Sequence, residues 1–309
     1  MTSALILAAG FGTRLRPLTL ELPKPVVPVG DRPLLAHVAA ACRRAGATRL
    51  IANAHHEHQK LSNTIASLGL NIQVVVEPQI RGTAGGVAGA RPGFEPGPVL
   101  IWNGDILTDA PARPLLDLAR ARDAQVLAVA PRVAGEGTVG LGADGSVVRL
   151  RGRVFGVEVQ GADYIGVMAL GAGVLAALPE HGCLFGDVAL PHLAAGGKVW
   201  TVPSRAAWTD LGDLPSYVAA NFAWLDAHLS RPESDAAAAA STSWLASDVC
   251  LDPRVSLDRC VVGLGAKVLG AGTVEHVIAW PGATFSAPLS RAVVLGSGRI
   301  VPFDGPAEN

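Results

Sequence analysis

The sequence is poor in charged and aromatic residues and has no long apolar run. Charged side chains make up 17% of its 309 residues, aromatic ones 5%, and the formal net charge is −1. Without a basic segment, there is no electrostatic reason to expect a nucleic acid or an anionic membrane as a partner. No apolar stretch approaches the roughly 20 residues of a membrane-spanning helix, and the N-terminus lacks the features of a signal peptide. We therefore expect a cytoplasmic protein that acts on small molecules.

Cysteine and lysine are also scarce. The cysteines are far apart and form no CxxC pair, which argues against a zinc site and against a disulfide framework; they are Cys42, Cys183, Cys250 and Cys260. Lysine occurs only at positions 24, 60, 198 and 267, so arginine supplies most of the 25 basic residues. A lysine inside a motif is therefore unusual in this chain.

Half of the residues are hydrophobic, which allows a large core in one main domain and a smaller second one. Short apolar strands alternate with helical patterns from Ala4 to Leu229. Strands are predicted at 4–8, 50–53, 72–77 and 98–103, and helices at 34–45, 59–68, after Gly85, at 114–122 and at 216–229. This alternation predicts an α/β, Rossmann-like fold: a mixed, mainly parallel sheet with helices on both faces and ligands beyond the carboxyl ends of the strands. Residues 125–171 read as a β-rich insertion.

The C-terminal part has a different pattern. A small, polar, Ala-rich stretch predicts a linker at 233–245 between a catalytic domain, 1–232, and a short domain, 246–309. In the latter, Val249, Val255 and Val261 are six positions apart, which predicts coils of a left-handed β-helix type. The alternative is a small irregular β cap.

A glycine-rich loop follows the first predicted strand. Gly10 and Gly12 allow backbone amides to approach phosphate oxygens, and Thr13, Arg14 and Lys24 follow, the lysine between two prolines. The spacing is neither a Walker A loop nor a dinucleotide fingerprint, since position 15 is leucine. A glycine-rich turn of this kind is equally often only structural.

The whole segment, LxAAGxGTRLxPLT followed by PKPxxPV, resembles the signature of the sugar 1-phosphate nucleotidyltransferases, or sugar-nucleotide pyrophosphorylases. The resemblance runs over most of the predicted catalytic domain, and β-helical tails are frequent in that family. The chain looks most similar to members of the mannose 1-phosphate guanylyltransferase type. The resemblance implies that Arg14 and Lys24 are catalytic residues that touch the phosphates. It also implies that Ala9, Gly10, Gly12 and Thr13 face the nucleotide.

A second motif, WNGD, ends an apolar strand at Asp105. An aspartate at a strand end can bind Mg²⁺ together with phosphate oxygens; the alternative is that it caps the next turn. In the family the matching aspartate binds the metal. The resemblance also implies a second metal ligand, Asp210, in a W-x-D-x-G segment, where Asp213 stands at a position at which threonine is commoner.

The sequence gives weaker signals for the residues that contact the base and the sugar. The segment EPQIRGTAGG provides Gly82, Thr83 and Ala84 as candidates for reading the base. The resemblance implies that Gly140 and Gly166 approach the sugar, with Glu158 as a further sugar-binding candidate and Asp187 as a looser one.

The chain departs from the family in one respect: it lacks the E-K-P lysine that many members carry before the second of these glycines. Arg149 or Arg151 could replace that charge. A solvated strand face is the alternative interpretation.

The histidine run HHEH, at His55 to His58, is interpreted as structural because neighbouring side chains of an extended segment point in different directions. The tryptophans, including Trp102 and Trp208, are interpreted as core.

The resemblance implies transfer of a nucleotidyl group from a nucleoside triphosphate to a sugar 1-phosphate, with Mg²⁺ as cofactor and no catalytic base, since the sugar phosphate is already ionised. GTP with mannose 1-phosphate is the first choice, and UTP or dTTP with another hexose 1-phosphate the second. A catalytically silent regulatory subunit that binds nucleotide sugars is the rival. The tail is too short for an acyltransferase and is a candidate for packing or for contacts within a homo-oligomer.

Overall fold

The computed structural model describes residues 2–230 and 242–304. The chain forms two compact units, and each is made of two separate stretches. Unit 1 comprises Met1–Phe11 and Leu35–Asp210, and unit 2 comprises Gly12–Leu34 and Leu211–Asn309. The predicted division at 233–245 overlaps residues 231–241, which lie outside the described residues.

The strands are, in chain order, β1 (Ser3–Leu7), β2 (Pro28–Val29), β3 (Arg32–Pro33), β4 (Arg49–Ala54), β5 (Ile72–Val76), β6 (Val99–Asn103), β7 (Ile106–Thr108), β8 (Gln125–Arg132), β9 (Val139–Leu141), β10 (Val147–Leu150), β11 (Arg153–Val154), β12 (Gln160–Leu170), β13 (Trp200–Pro203), β14 (Trp208–Asp210), β15 (Trp244–Leu245), β16 (Cys250–Leu251), β17 (Val255–Asp258), β18 (Val261–Val262), β19 (Lys267–Ala279), β20 (Thr284–Val294) and β21 (Ile300–Pro302). The α-helices are α1 (Leu34–Arg44), α2 (His58–Ser67), α3 (Gly82–Ala90), α4 (Ala112–Arg122), α5 (Ala172–Ala176), α6 (Leu190–Ala194) and α7 (Leu214–Leu229). Leu184–Ala189 form a π-helix.

Unit 1 is built on a ten-stranded sheet in the order β11-β10-β9-β12-β6-β1-β4-β5, with β8 paired to β12 and β13 paired to β8. The strands β6, β1, β4 and β5 are parallel to one another. β12 is antiparallel to β6, β8 and β9. Because these four parallel strands, β6, β1, β4 and β5, run in one direction, their carboxyl ends lie along one edge of the sheet. This edge is where α/β sheets bind ligands.

The core of unit 1 explains the apolar runs in the sequence. Leu5, Ile51 and Ile101 come from three neighbouring parallel strands and are fully buried. Such strands are covered on both faces and therefore read as continuous apolar stretches. The predicted α/β class is confirmed. One boundary is corrected: α3 begins at Gly82 and not after Gly85, so small residues that carry no amphipathic pattern still start a helix.

The C-terminal strands of unit 2 form a stack of parallel coils. Trp244 pairs with Val261, and Val261 pairs in turn with Ile278. The Cys260 amide donates to Ser243 Oγ of the preceding coil, 17 positions earlier in the chain. Equivalent residues of these neighbouring coils are therefore 17 positions apart in the chain. The six-residue spacing of the valines is shorter than one coil and relates positions within a coil. The left-handed sense of the coils stays a prediction.

Helix α7 and the hairpin β2–β3 complete unit 2. Asn221 of α7 is fully buried, and its Oδ1 accepts the Gly30 amide of the hairpin at 2.9 Å. Glu21 accepts two hydrogen bonds from Ser297 in the C-terminal part, at 2.7 and 2.9 Å. These contacts join the segment Gly12–Leu34 to the C-terminal coils, so unit 2 is assembled from stretches far apart in the sequence. Among the described residues, no helix is both long and apolar enough to cross a bilayer.

Candidate functional site

Asp105 lies in a short turn between β6 and β7, at the carboxyl end of β6. Two hydrogen bonds hold this turn. The Gly104 amide donates to the Leu7 carbonyl of the neighbouring β1 at 2.9 Å, and the Trp102 indole Nε1 donates across the turn to the Ile106 carbonyl at 3.1 Å. Trp102 is fully buried, as interpreted from the sequence. The turn that carries Asp105 is therefore tied to the sheet at both ends.

The structure brings Asp210 next to Asp105. β14 pairs with β7 in antiparallel fashion, and Asp210 is the register partner of Ile106, the residue that follows Asp105. Opposite residues in such a pair have Cα atoms about 4.5–5.5 Å apart. The backbones of Asp105 and Asp210, which are far apart in the chain, are thus brought to the same end of the β7–β14 pair in unit 1.

Two carboxylates suit Mg²⁺, which commonly takes one or two protein carboxylates and completes its shell with substrate phosphates and water. Throughout residues 2–230 and 242–304, no group of three or more His, Cys, Asp or Glu side chains is placed to hold a metal ion. Asp105 and Asp210 alone would leave the rest of a Mg²⁺ coordination shell to phosphate oxygens and water. His55, from the histidine run, lies 2.8 Å from the Glu77 carbonyl oxygen through Nδ1, and its ring contacts Phe11 edge-on.

A buried polar chain connects the ends of three parallel strands. The Ala8 amide donates to Asn53 Oδ1 at 2.8 Å, and Asn53 Nδ2 donates to Glu77 Oε1 at 2.7 Å. The second oxygen of Glu77 accepts the Arg81 amide at 3.1 Å. Asn53 and Glu77 are both buried. Sequence reasoning missed both residues, although a polar residue at the end of each apolar strand was the available signal.

This chain of hydrogen bonds joins the first loop of unit 1 to the segment Gly82–Ala84. Ala9 is buried, whereas Gly10 is exposed and a side chain built on it would meet no atom within 4 Å. Backbone next to open space of this kind is accessible to a ligand.

The segment Gly82–Ala84 forms the N-terminus of α3 and contacts the start of the π-helix and the residues just before it. The Ala84 amide donates to the Gly182 carbonyl at 2.8 Å, and Thr83 Oγ1 accepts the Leu184 amide at 2.9 Å. Gly82 and Thr83 are exposed, while Ala84 is fully buried. Ala84 is thus packed in the core, and its side chain is not placed to contact a base.

In unit 2, the glycine-rich loop turns at Gly12, which adopts the left-handed conformation with φ of 62°. A Cβ at this position would lie 3.0 Å from Thr19 Cγ2 and 3.1 Å from Lys24 Cβ. The Gly12 carbonyl also accepts the Thr19 hydroxyl at 2.9 Å. Gly12 is therefore required both for the turn and for the close approach of Lys24.

Thr13 and Arg14 follow in a short 3₁₀ helix and are exposed, while Leu15 of the same turn is fully buried. Lys24 begins another 3₁₀ turn after Pro23. The buried leucine anchors the loop and leaves the arginine at the surface.

Asp213 lies close to both cations within unit 2. It is the N-cap of α7 and forms a capping box with Ser216, whose backbone amide donates to Asp213 Oδ1 at 3.0 Å. The hydrogen bonds from Ser216 lower the pKa of the Asp213 carboxyl, and the charges of Arg14 and Lys24 lower it further. The residue that departs from the family pattern is thus a helix cap that remains ionised near the two candidate catalytic cations.

The predicted sugar residues Gly140 and Glu158 meet in unit 1, where a Cβ built on Gly140 would run into the Glu158 carboxylate. Glu158 forms an ion pair with Arg149 at 2.7 Å, with exposed side-chain fractions of 15% and 17%. The Arg149 guanidinium also donates to the carbonyls of Glu136 and Gly137. The hydrogen bond from Arg149 lowers the pKa of Glu158. Arg149 is therefore committed within the protein, which argues against it as a substitute for the missing lysine.

The other sugar candidates are separate from this ion pair. Gly166, in β12, has φ of 78°, and a Cβ there would run into the Ile106 side chain, so it lies next to the Asp105 turn. Arg151 donates to Cys183 Sγ at 3.3 Å. The Asp187 carboxylate accepts the Cys183 amide at 2.7 Å, a structural role at the start of the π-helix.

Comparison with known proteins identifies the N-terminal half. A family model described as nucleotidyl transferase matches residues 3–149. The matched stretch is just under half of the chain; it begins in β1 and ends within β10. The family resemblance and the enzyme class predicted from the sequence are thereby confirmed.

Curated relatives match between two fifths of this chain and nearly all of it. A probable mannose-1-phosphate guanylyltransferase 1 of Oryza sativa subsp. japonica is 25% identical and covers 96% of this chain and 82% of its own length. The mannose-1-phosphate guanylyltransferase of Mycobacterium tuberculosis is 35% identical over 40% of this chain and 35% of its own length.

Two solved structures share the fold. HddC from Yersinia pseudotuberculosis, complexed with GMP-PN, has a TM-score of 0.60 at 19% identity and covers 72% of this chain and all of its own. An apo UDP-glucose pyrophosphorylase also has a TM-score of 0.60, at 15% identity, and covers 74% of this chain and 99% of its own.

Proposed function

We propose that this chain joins a nucleoside triphosphate to a sugar 1-phosphate, forming a nucleoside diphosphate sugar and pyrophosphate with Mg²⁺ as cofactor. GTP and mannose 1-phosphate are the proposed substrates. The names of the relatives support this choice, since those from rice and from Mycobacterium tuberculosis are both named for that reaction.

The observation that carries the proposal is the register of β7 and β14, which puts Asp210 beside Asp105 at the carboxyl end of β6. In the proposal these two carboxylates hold the metal. When bound, Mg²⁺ would supply positive charge to the phosphate oxygens.

The chain supplies two further cations in unit 2. Arg14 and Lys24 would bind the triphosphate and neutralise the charge that develops as pyrophosphate leaves. An oxygen of the sugar phosphate forms the new bond to the α-phosphorus, and the bond from that phosphorus to the bridging oxygen of pyrophosphate breaks. No general base is required, because the attacking phosphate is already ionised. The contribution of the protein is therefore positioning and charge stabilisation.

The test is pyrophosphate release from a panel of GTP, UTP, dTTP, ATP and CTP against mannose, glucose and other hexose 1-phosphates, each with Mg²⁺ and with EDTA. We expect release that requires Mg²⁺ and is fastest with GTP and mannose 1-phosphate. Fastest release with UTP or dTTP would replace the proposed substrates, whereas release that is unchanged by EDTA would contradict the role of the metal.

A regulatory subunit that binds a nucleotide sugar without turnover is the second candidate. The engagement of Arg149 by Glu158 favours it, since this pairing removes one of the two arginines considered as replacements for the missing lysine. The same panel separates the two functions: tight binding of GDP-mannose without pyrophosphate release under any condition would establish the regulatory one.

A further inference from the structure

The chain has two tyrosines, and their buried hydroxyls differ in hydrogen bonding. The hydroxyl of Tyr217, in α7, donates to the Pro28 carbonyl at 2.8 Å and accepts from Trp280 Nε1 at 2.9 Å. The hydroxyl oxygen of Tyr164, in β12, is also closed to solvent but has no hydrogen-bond partner within residues 2–230 and 242–304. A buried hydroxyl without a partner has lost its hydrogen bonds to water and has formed none with the protein. This costs free energy, so such hydroxyls are rare in folded proteins and require an explanation.

The position of Tyr164 in the sheet suggests that explanation. β12 is antiparallel to β6, with Val167 opposite Trp102. Tyr164 lies three residues before Val167, in the part of β12 that runs past the last residue paired with β6. Burial raises the pKa of the Tyr164 hydroxyl, and the charge of Asp105 raises it further, in accord with this placement. The nearby Gly166 agrees, since a Cβ built on it would contact Ile106, the residue after Asp105.

Packing fixes the ring of Tyr164 but does not need its oxygen. The ring stacks edge-on against Phe185 with centroids 5.0 Å apart and packs on the apolar core of unit 1. A phenylalanine would make these contacts equally well. The hydroxyl adds a buried hydrogen-bond donor within reach of the Asp105 charge, and no group among residues 2–230 and 242–304 accepts from it.

We infer that Tyr164 is a substrate-binding residue whose hydroxyl donates a hydrogen bond to a substrate oxygen at the Asp105 turn. The acceptor is an oxygen of the nucleotide phosphates or of the sugar 1-phosphate. This inference rests on the proposed function. Because the hydroxyl is closed to solvent in the ligand-free chain, the contact forms with a local movement of the ring or of the turn when the substrate binds.

The test compares Tyr164→Phe with the matched variant Tyr217→Phe, in the full chain. Ligand-free Tm is measured first. Tyr164→Phe should keep the wild-type Tm or exceed it, because it removes only an unpaired buried group. Tyr217→Phe should lower Tm, because it leaves the Trp280 indole and the Pro28 carbonyl without a partner.

The second measurement is the Kd by calorimetry for two probes taken separately, MgGTP and mannose 1-phosphate. Loss of one hydrogen bond in Tyr164→Phe should raise one of these Kd values on the order of tenfold, and Tyr217→Phe should leave both unchanged. A change confined to MgGTP assigns the acceptor to the nucleotide, and a change confined to mannose 1-phosphate assigns it to the sugar phosphate.

Either of two results would overturn the inference: a loss of ligand-free Tm in Tyr164→Phe as large as in Tyr217→Phe, or wild-type Kd values for both probes. Failure of the proposed function is distinguishable, since it appears as a wild-type chain that binds the probes but releases no pyrophosphate. A wild-type chain that binds neither probe would overturn both.

Discussion

The candidate carboxylates of unit 1 and the candidate cations of unit 2 are held in different ways. Asp105 and Asp210 are placed by strand pairing, in which the backbone register determines which residues of β7 and β14 lie opposite each other. Arg14 and Lys24 lie in short 3₁₀ turns that depend on a left-handed glycine and on neighbouring prolines. The acidic part is thus specified by long-range hydrogen bonding and the basic part by local sequence. Substitutions can show whether this difference matters for activity.

The largest effect is expected for Lys24→Ala. Loss of a cation that binds the phosphates should lower kcat by about 10²- to 10³-fold, by analogy with loss of one donor to a transition-state anion. Steady-state kinetics and circular dichroism would measure activity and folding in parallel. Lys198→Ala is the control, because Lys198 is an exposed lysine paired with Asp144. A Lys24→Ala variant with near-normal turnover would contradict the proposed role.

Asp210→Asn tests the acidic part. The change keeps the size and strand pairing of the residue but removes its charge, so the Mg²⁺ concentration for half-maximal activity should rise on the order of 10- to 100-fold. A metal titration of pyrophosphate release measures this. Asp109→Asn, on an exposed aspartate paired with Arg44, should leave the titration unchanged. Equal Mg²⁺ requirements for Asp210→Asn and wild type would exclude Asp210 as a ligand.

Gly12→Ala tests whether the basic part depends on its turn. An alanine forced into the left-handed region costs about 1–2 kcal/mol. Its Cβ would also press on Thr19 and Lys24. We expect lower stability in urea unfolding together with reduced kcat. Gly10→Ala is the control for stability, since a Cβ at Gly10 meets nothing within 4 Å. If both variants unfolded at the wild-type urea concentration, the turn would not constrain the loop.

The smallest effect is expected for Asp213→Ala, which removes the cap of α7. N-cap loss typically costs about 1 kcal/mol at neutral pH. The folded-state pKa of Asp213 is lowered, so its stabilisation is fully present above the unfolded pKa of about 3.9 and is lost as pH falls through the folded value. The Tm difference between wild type and variant should therefore shrink on going from pH 7 to pH 3. A difference that is constant with pH would show that the charge of Asp213 does not contribute.

The local parts of the fold and site were accessible from sequence. The apolar strand before Gly10 and the strand that ends before Asp105 both appear within one position of their predicted ends. The helix start at Gly82 was missed, because a run of small residues carries no apolar periodicity from which to predict it.

Polar pairs between distant segments could not be predicted in the same way. Asn53 and Glu77 are ordinary polar residues in the sequence, yet they form one buried chain of hydrogen bonds. The engagement of Arg149 by Glu158 was equally invisible, since each was weighed separately for contact with the sugar.

By itself, the sequence determined the strand ends, the glycine-rich loop after the first strand and the resemblance to nucleotidyltransferases, because all of these depend on neighbouring residues. Only the tertiary structure decided that Asp210 lies beside Asp105, and that Tyr217 is fully hydrogen-bonded while Tyr164 is not. Those outcomes depend on the register between strands and helices far apart in the chain. No local pattern encodes that register; it is set by the packing of the whole unit.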